Sequence, residues 1–330
     1  MEFKGFKNFI EEYQKVPVSI YSEPEISQPL VTVCVLTYNH EKYISKCLDS
    51  ILEQQTDFDF EIQIGEDAST DQTRKICKEY ADKYPQKIKL LLHSRENNIS
   101  VLGEPSGRFN FSYNLLSATG KYIAVCEGDD FWEDPHKLQK QIDVLENHPE
   151  CSMCFTAAHI YYFEKDGKTI RKSDVLKPEK RPGNRIYTVY DAIRPAGGFM
   201  TSATMIFRSE YVQELPDWYF EAIVGDTPLM LYLGTKGDYY YLDEITAAYR
   251  AGTEGSWTAR MTYQKRKKIV AGYIQILEDF NTYTNKAYSA KVSRKIVKLK
   301  LGLLRSTIKY YLRPLRNIKL IDRIAVYFGN

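Results

Sequence analysis

Between residues 30 and 163 the chain alternates short apolar, β-branched runs with helical stripes, and few folds accept that pattern. Leu30–Leu36 (LVTVCVL), Phe60–Ile64, Ile88–His93, Tyr122–Cys126 and Met153–Phe163 are predicted strands. Glu41–Gln54, Thr70–Tyr84, Phe109–Ala118 and Pro135–Asn147 are predicted helices. Ser69 or Thr70 is available to cap the second helix; Asp134 caps the fourth, with Pro135 at its first position. Such alternation implies an α/β fold, a Rossmann-like, mostly parallel sheet flanked by helices. Ligands of these sheets lie outside the carboxyl ends of the strands. Polar clusters fall at those ends: Thr37-Tyr38-Asn39-His40, Glu66-Asp67 and Glu127-Gly128-Asp129-Asp130.

The flanking segments are less regular. Residues 1–29 form an N-terminal arm in which Phe3, Phe6, Phe9, Ile10 and Tyr13 keep a helical spacing, ended by Pro17, Pro24 and Pro29. Residues 164–185 are a charged connector, 197–208 and 237–250 are predicted strands, and Gly225–Leu233 is partly helical. Hydrophobic residues make up 43% and charged residues 27%, an ordinary globular balance. No apolar run approaches the roughly 20 residues of a membrane span, and no signal peptide is visible. The cysteines at 34, 47, 77, 126, 151 and 154 are expected to be free thiols, with Cys151 and Cys154 a buried structural pair.

The net charge of +2 hides a segregation, because residues 291–330 hold eleven Lys/Arg against one acid, Asp322. The other 290 residues are mildly acidic, which excludes a nucleic-acid partner spread over the fold. On an ideal helix Val292, Ile296, Leu299 and Leu303 share one line, widened by Val297, Leu304, Ile308, Tyr311 and Leu315. Arg294, Lys295, Lys298, Arg305, Lys309, Arg313 and Arg316 gather opposite, Lys300 being the exception, and Pro314 breaks or kinks the helix. This basic amphipathic tail suits an anionic membrane surface, or packing on the domain or on a second subunit as a homodimer.

Glu127, Asp129 and Asp130 repel one another unless solvated or neutralised by a cation. An acidic turn capping the next helix is one use. Directly after an apolar strand, a site for Mg²⁺ or Mn²⁺ and a diphosphate is the other. No G-x-G-x-x-G or Walker lysine motif accompanies the first strand.

Three segments carry a resemblance: Val31–Tyr43 (VTVCVLTYNHEKY), Glu61–Thr73 (EIQIGEDASTDQT) and Gly120–Leu138 (GKYIAVCEGDDFWEDPHKL). In order and spacing they resemble the inverting glycosyltransferases of family two, with the GT-A fold. Gly225-Asp226 and Tyr239–Arg250 (YYYLDEITAAYR) extend the likeness to about residue 260. The resemblance implies a glycosyltransferase domain at 30–260, with a nucleotide-sugar half (30–163) and an acceptor half (164–260), followed by the tail 261–330.

It further implies that Thr37 and Tyr38 lie beside the nucleobase and that Asp67 accepts a hydrogen bond from it, although Glu66, Ser69 and Asp71 are also available. Asn39, Glu41 and Gly128 fall in the same segments and join the donor-binding set. Glu127 stands at the first acid of the family's Asp-x-Asp motif, near the ribose, as a departure from the commoner Asp. Asp129 stands at the metal position, with Asp130 beside it. Asp226 is the implied catalytic base, with Asp217 and Glu221 its nearest competitors; an Asp there can also be a helix cap. Arg250 or Arg260 would meet the diphosphate, Trp257 would stack on a sugar, and Gly197–Ser202 would border the acceptor.

The implied reaction is transfer from a nucleoside-diphosphate sugar, a UDP-sugar, to a saccharide or lipid-linked acceptor in surface-polysaccharide synthesis. The implied setting is cytoplasmic, peripheral on the inner face of the membrane. A catalytically inactive saccharide-binding or membrane-scaffolding relative is the alternative. A nucleotidyltransferase would need a Gly-rich, basic loop where Tyr38-Asn39-His40-Glu41 stands.

Overall fold

The computed structural model describes residues 5–26, 28–163, 170–193, 199–252 and 262–312. The chain divides into two compact units, Met1–Arg260 and Met261–Asn330. In chain order the first unit begins α1 (Gly5–Tyr13), β1 (Ser19–Ser22), β2 (Val31–Thr37), α2 (Ile44–Leu52), β3 (Phe60–Glu66), α3 (Thr73–Lys83) and β4 (Ile88–Leu92). It continues β5 (Ser100–Val101), β6 (Glu104–Pro105), α4 (Arg108–Ser117), β7 (Tyr122–Glu127), β8 (Phe131–Trp132), α5 (Lys137–Asn147) and β9 (Cys151–Phe163). It ends β10 (Ile170–Leu176), β11 (Arg185–Tyr187), α6 (Val189–Ala192), β12 (Met205–Arg208), α7 (Asp217–Glu221), α8 (Asp226–Leu233) and β13 (Asp238–Ala251). The second unit is α9 (Tyr263–Tyr283) and α10 (Ser289–Leu312).

The main sheet runs β1-β4-β3-β2-β7-β12-β9-β13-β11. Its centre, β4-β3-β2-β7, is parallel, as the alternation predicts. β2 is buried along nearly its whole length, so its apolar run is continuous rather than alternating. Val31, Val33, Val35, Ile62, Ile64 and Ala124 join one core with residues of α2, α3 and α5. Each such Val or Ile side chain contributes about 1.5–3 kcal/mol on burial. β12 inserts antiparallel between β7 and β9, and β13 then pairs parallel to β9.

Register fixes where the loops emerge. Thr37 lies opposite Glu66, Leu36 opposite Glu127, and Glu66 opposite Leu92. The loops after β2, β3, β4 and β7 therefore leave one edge side by side. β8 pairs with β13 at Ala247 and Ala248, which brings the end of β13 to the turn after β7.

Several expectations need correction. The second helix starts at Thr73, where Asp71 Oδ1 accepts from the Thr73 N–H at 2.9 Å; Ser69 and Thr70 bond the facing loop instead. Asp134 does not cap the fourth helix. It closes a turn by accepting from the His136 N–H at 2.9 Å, and the helix begins at Lys137, not Pro135. Among the described residues of the strand expected at 197–208, only Met205–Arg208 forms, because Thr201 closes a 3-10 turn through Thr204. The connector 164–185 contains β10, antiparallel to β9, and the N-terminal arm contains β1, antiparallel to β4. Gly197, Gly198, Trp257, Arg260 and residues beyond Leu312, Pro314 among them, lie outside the described residues.

The six cysteines are free and buried, Cys151 and Cys154 included. In the second unit Tyr263 stacks on Tyr310 with centroids 4.2 Å apart, and Phe280 meets Tyr288 at 5.4 Å. These contacts pair the start of α9 with the end of α10, an antiparallel hairpin.

Candidate active site

The loops after β2 and β3 are zipped together. The Asn39 N–H donates to Ser69 Oγ at 3.0 Å, and Asn39 Oδ1 accepts from the Thr70 N–H at 2.8 Å. The His40 N–H donates to Thr73 Oγ1 at 2.8 Å, and Glu41 Oε2 accepts from the Gln72 N–H at 2.9 Å. Asn39 holds φ of 55°, a left-handed conformation that Asn tolerates better than most residues. Asn39 and Glu41 thus shape the wall of the site through their side chains.

Behind that wall the three acids offered by β3 and its loop separate by their partners. Glu66 is fully buried, pairs with Arg74, and accepts from the Ser69 N–H at 2.6 Å. Asp71 accepts from the Thr73 and Glu41 N–H groups. Asp67 gives Oδ2 to Arg95 Nη1 at 2.8 Å and to Asn98 Nδ2 at 3.2 Å. Its Oδ1 is buried without a partner. Only Asp67 keeps an acceptor in hand, and burial pushes its pKa up to about 6 against the pull of Arg95 and Asn98. The Arg95 guanidinium also lies 3.9 Å over the Tyr38 ring. Tyr38, Asp67, Arg95 and Asn98 thus form one linked polar cluster.

The turn after β7 packs tightly on the end of β2. The Gly128 N–H donates to the Leu36 carbonyl at 2.8 Å. A Cβ on Gly128 would stand 2.8 Å from both His40 Nδ1 and Thr37 Oγ1, so any larger residue would force one of them to move. Glu127 accepts from Ser202 Oγ at 3.3 Å. Its pKa is pushed up to about 8, by burial first and then by the charges of Asp129 and Asp226. Asp130 is 1% exposed. Its Oδ1 accepts from the Arg250 N–H at 2.8 Å, and its Oδ2 is buried with no partner.

Arg250, itself buried, clamps this turn. Its Nη1 donates to the Asp129 carbonyl at 2.6 Å, and its guanidinium lies 4.5 Å over the Phe131 ring. Tyr249, the residue before it, has its phenol pushed up by burial and by the charges of Asp130, Glu127, Asp129 and Asp226. These four carboxylates therefore share one electrostatic neighbourhood.

Asp226 opens α8 as its first residue; the cap position belongs to Gly225. Asp226 Oδ1 accepts from the Thr227 N–H at 2.7 Å. Burial raises its pKa, opposed by the Thr227 bonds and by the Arg108 charge. A Cβ on Gly225 would lie 2.8 Å from Arg108 Nη1 and Phe111 Cδ1, so this glycine lets α8 approach α4. The other expected competitors, Asp217 and Glu221, sit on α7.

The donor chemistry of the acidic turn fits a hard divalent cation held by few protein ligands. Its side-chain donors are carboxylate oxygens, and Asp130 Oδ2 is an orphaned acceptor. Among the described residues no three His, Cys, Asp or Glu side chains gather as a complete metal site, so substrate oxygens and water would fill the remaining shell.

The structure thus brings together Thr37, Tyr38, Asp67, Glu127, Gly128, Asp129, Asp130, Asp226 and Arg250. Arg95 and Asn98 join them without having been singled out by sequence, and Ser202, from the segment expected to border the acceptor, bonds Glu127. The loop after β4, Arg95-Glu96-Asn97-Asn98, was the available signal: a fourth polar cluster at the same strand edge.

The chain resembles known proteins in these segments. An uncharacterized protein of Mycobacterium tuberculosis (strain ATCC 25618 / H37Rv) is 33% identical over 242 residues, 72% of this chain and 63% of the relative. The chain thus spans less than two thirds of that relative's length. A Bacillus subtilis (strain 168) protein whose name assigns it to teichuronic acid biosynthesis, TuaG, is 29% identical over 145 residues, 44% of this chain and 52% of the relative. In fold, the chain superposes on the mannosyltransferase PcManGT from Pyrobaculum calidifontis, solved with GDP-Man and Mn²⁺. The TM-score is 0.52 at 15% identity, covering 96% of this chain and 86% of that one. The family model described as glycosyl transferase family 2 matches residues 32–215, more than half of the chain. This chain belongs to glycosyl transferase family 2 and has the GT-A fold.

Proposed function

We propose that this chain is a metal-dependent, inverting glycosyltransferase that moves a sugar from a UDP-sugar to a hydroxyl of a saccharide or lipid-linked acceptor. Surface-polysaccharide synthesis is the proposed setting, in keeping with the relative named for teichuronic acid. One observation carries the reading. Asp67, with its unpartnered buried oxygen, stands at the same sheet edge as the acidic turn of Glu127 and Asp129, and the charge of Asp226 reaches Glu127.

The proposed roles are those that the resemblance implies, and the geometry supports them. Tyr38 and Arg95 offer flat faces to the nucleobase, and Asp67 Oδ1 accepts its imide N–H. Thr37 and Gly128 form the floor on which the backbone can approach the ribose, with Glu127 beside it. Asp129 is the proposed metal ligand, with Asp130 behind it; when bound, Mn²⁺ or Mg²⁺ supplies positive charge for the departing diphosphate. Arg250 adds a fixed cation beneath that turn. Asp226 takes the acceptor hydroxyl's proton as its oxygen bonds the anomeric carbon and the bond from that carbon to the diphosphate oxygen breaks. Burial raises its pKa above the usual carboxylate range, which makes it a stronger base.

The test is binding and hydrolysis of a panel of nucleotide-sugars with Mn²⁺, Mg²⁺ or chelator, on the wild type and Asp129→Ala. Metal-dependent binding of one donor, lost in the variant, is the expected result. Binding indifferent to metal would overturn the mechanism.

A further inference from the structure

Helix α10 has two apolar faces, not the single broad one that its sequence presents on an ideal wheel. The first faces α9. Tyr310 stacks on Tyr263, and Thr307 Oγ1 accepts from the Tyr263 hydroxyl at 2.5 Å. Val292 is buried, and Ile296, Leu299 and Leu303 are partly covered along the same line. The second face lies roughly 120° around the helix, at 100° per residue. It holds Val297, Leu301, Leu304, Ile308 and Tyr311, spaced four, three, four, three. Their exposures are 53%, 50%, 54%, 50% and 64%. Single exposed apolar residues need no explanation, but five in one line over four turns form a patch.

The charge around that patch selects its partner. Arg294, Lys298 and Arg305 border one side and Lys300 the other, all exposed and without an ion pair among the described residues. Residues 289–312 hold seven Lys/Arg and no acid. Exposed Arg266, Lys267 and Lys268 at the start of α9 add charge at the Tyr263–Tyr310 end of the hairpin. A second copy would set these unpaired cations against their own kind. A nucleic acid would answer the charge and leave the apolar line wet. An anionic bilayer answers both: phosphate headgroups meet the flanking cations while the apolar line enters the acyl boundary. No described helix is long and apolar enough to cross a membrane, so the helix would lie along the surface.

We propose that the Val297–Tyr311 face of α10 docks in the plane of an anionic lipid bilayer. The inference rests on the second unit alone and is independent of which sugar the first unit transfers. Its effect would be to confine the enzyme to the surface where a lipid-linked acceptor is found.

The test uses the full chain and vesicles of phosphatidylcholine, with or without phosphatidylglycerol. Wild type is expected to co-sediment with the anionic vesicles, far less with the neutral ones, and less as salt is raised. Leu304→Glu with Ile308→Glu, and separately Lys298→Glu with Arg305→Glu, should each weaken partition about tenfold or more. Melting temperature and hydrolysis of a soluble donor should stay at wild-type values in both variants. Equal partition of wild type onto neutral and anionic vesicles, or unchanged partition of both variants, overturns the proposal. So does a fall in melting temperature in the Leu304/Ile308 variant, which would make the face internal packing. A wild-type dimer by light scattering that this variant splits, with vesicle binding intact, would make the face a subunit interface and equally overturn it.

Discussion

Asp67 bonds Arg95 through one carboxylate oxygen, at 2.8 Å, and holds the other buried and unpartnered. The pairing fixes the carboxylate plane, and Arg95 and Asn98 hold down a pKa that burial alone would carry higher still. Below about 6 the group is protonated, and a carboxylic acid no longer offers the base imide a charged acceptor. Nucleotide affinity should therefore be full above that pH and fall as the pH drops through it, approaching tenfold per unit. Titration calorimetry of the nucleoside diphosphate from about pH 5 to about pH 8 reads this directly. Asp67→Asn should weaken binding by about 1.5–3 kcal/mol, roughly ten- to a hundredfold, and flatten the profile. A wild-type profile with no acid limb would remove Asp67 from the base site.

Asp226 differs from the acids of the β7 turn in having one oxygen tied to the Thr227 N–H while the residue stands at the head of a separate helix. If it is the base, Asp226→Asn keeps the Thr227 bond and loses proton uptake. Turnover should fall by roughly 10²–10⁴-fold with donor affinity unchanged. Single-turnover transfer alongside donor binding separates the two. Loss of donor binding equal to the loss of turnover would assign Asp226 to the donor instead.

The parts of this molecule that the sequence made legible are those whose burial is two-sided. The run in β2 is continuous because helices cover both faces, and its pattern survives in the letters. The edge strand Ser19–Ser22 is mostly exposed and the charged strand Ile170–Leu176 pairs with a single neighbour, so neither carries a periodic signal. Helix starts were misplaced where long-range bonds decide them: Thr70 answers Asn39, and Asp134 anchors a turn that Gln54 also holds through its carbonyl. At the site, Asp67 and Asp129 were singled out from motif position. Arg95 was not, because its partner is set by the register of β3 against β4 and not by local spacing. The second apolar line on α10 was merged with the first, since a helical wheel cannot say which face α9 covers.

Gly128 offers a test of the cradle between β2 and the acidic turn. Gly128→Ala places a methyl 2.8 Å from His40 Nδ1 and Thr37 Oγ1, whose own contact is 3.3 Å. One side must move, and overpacking of this kind costs about 1–3 kcal/mol. Denaturant unfolding should show that loss together with weakened donor binding. A variant with wild-type stability and affinity would mean that the loop yields freely and the glycine is incidental.

Lys137 gives the last prediction, on stability. It is fully buried, bonds Gln141, and lies 4.6 Å over the Trp132 ring. Burial pushes its pKa down to about 7. Unfolded, the same side chain keeps its proton to about 10.4. Between those values the unfolded chain binds more protons than the folded one, so stability rises with pH, by at most about 1.4 kcal/mol per unit. Below about 7 both states are charged, the slope vanishes, and the folded state carries the full penalty of a buried ammonium. Lys137→Met keeps the length and drops the charge; it should abolish the slope and match or exceed wild-type stability at neutral pH. Urea unfolding of both proteins from about pH 6.5 to about pH 9 decides it. A Met variant markedly less stable at neutral pH would show that the Gln141 bond and the Trp132 contact outweigh the desolvation of the charge.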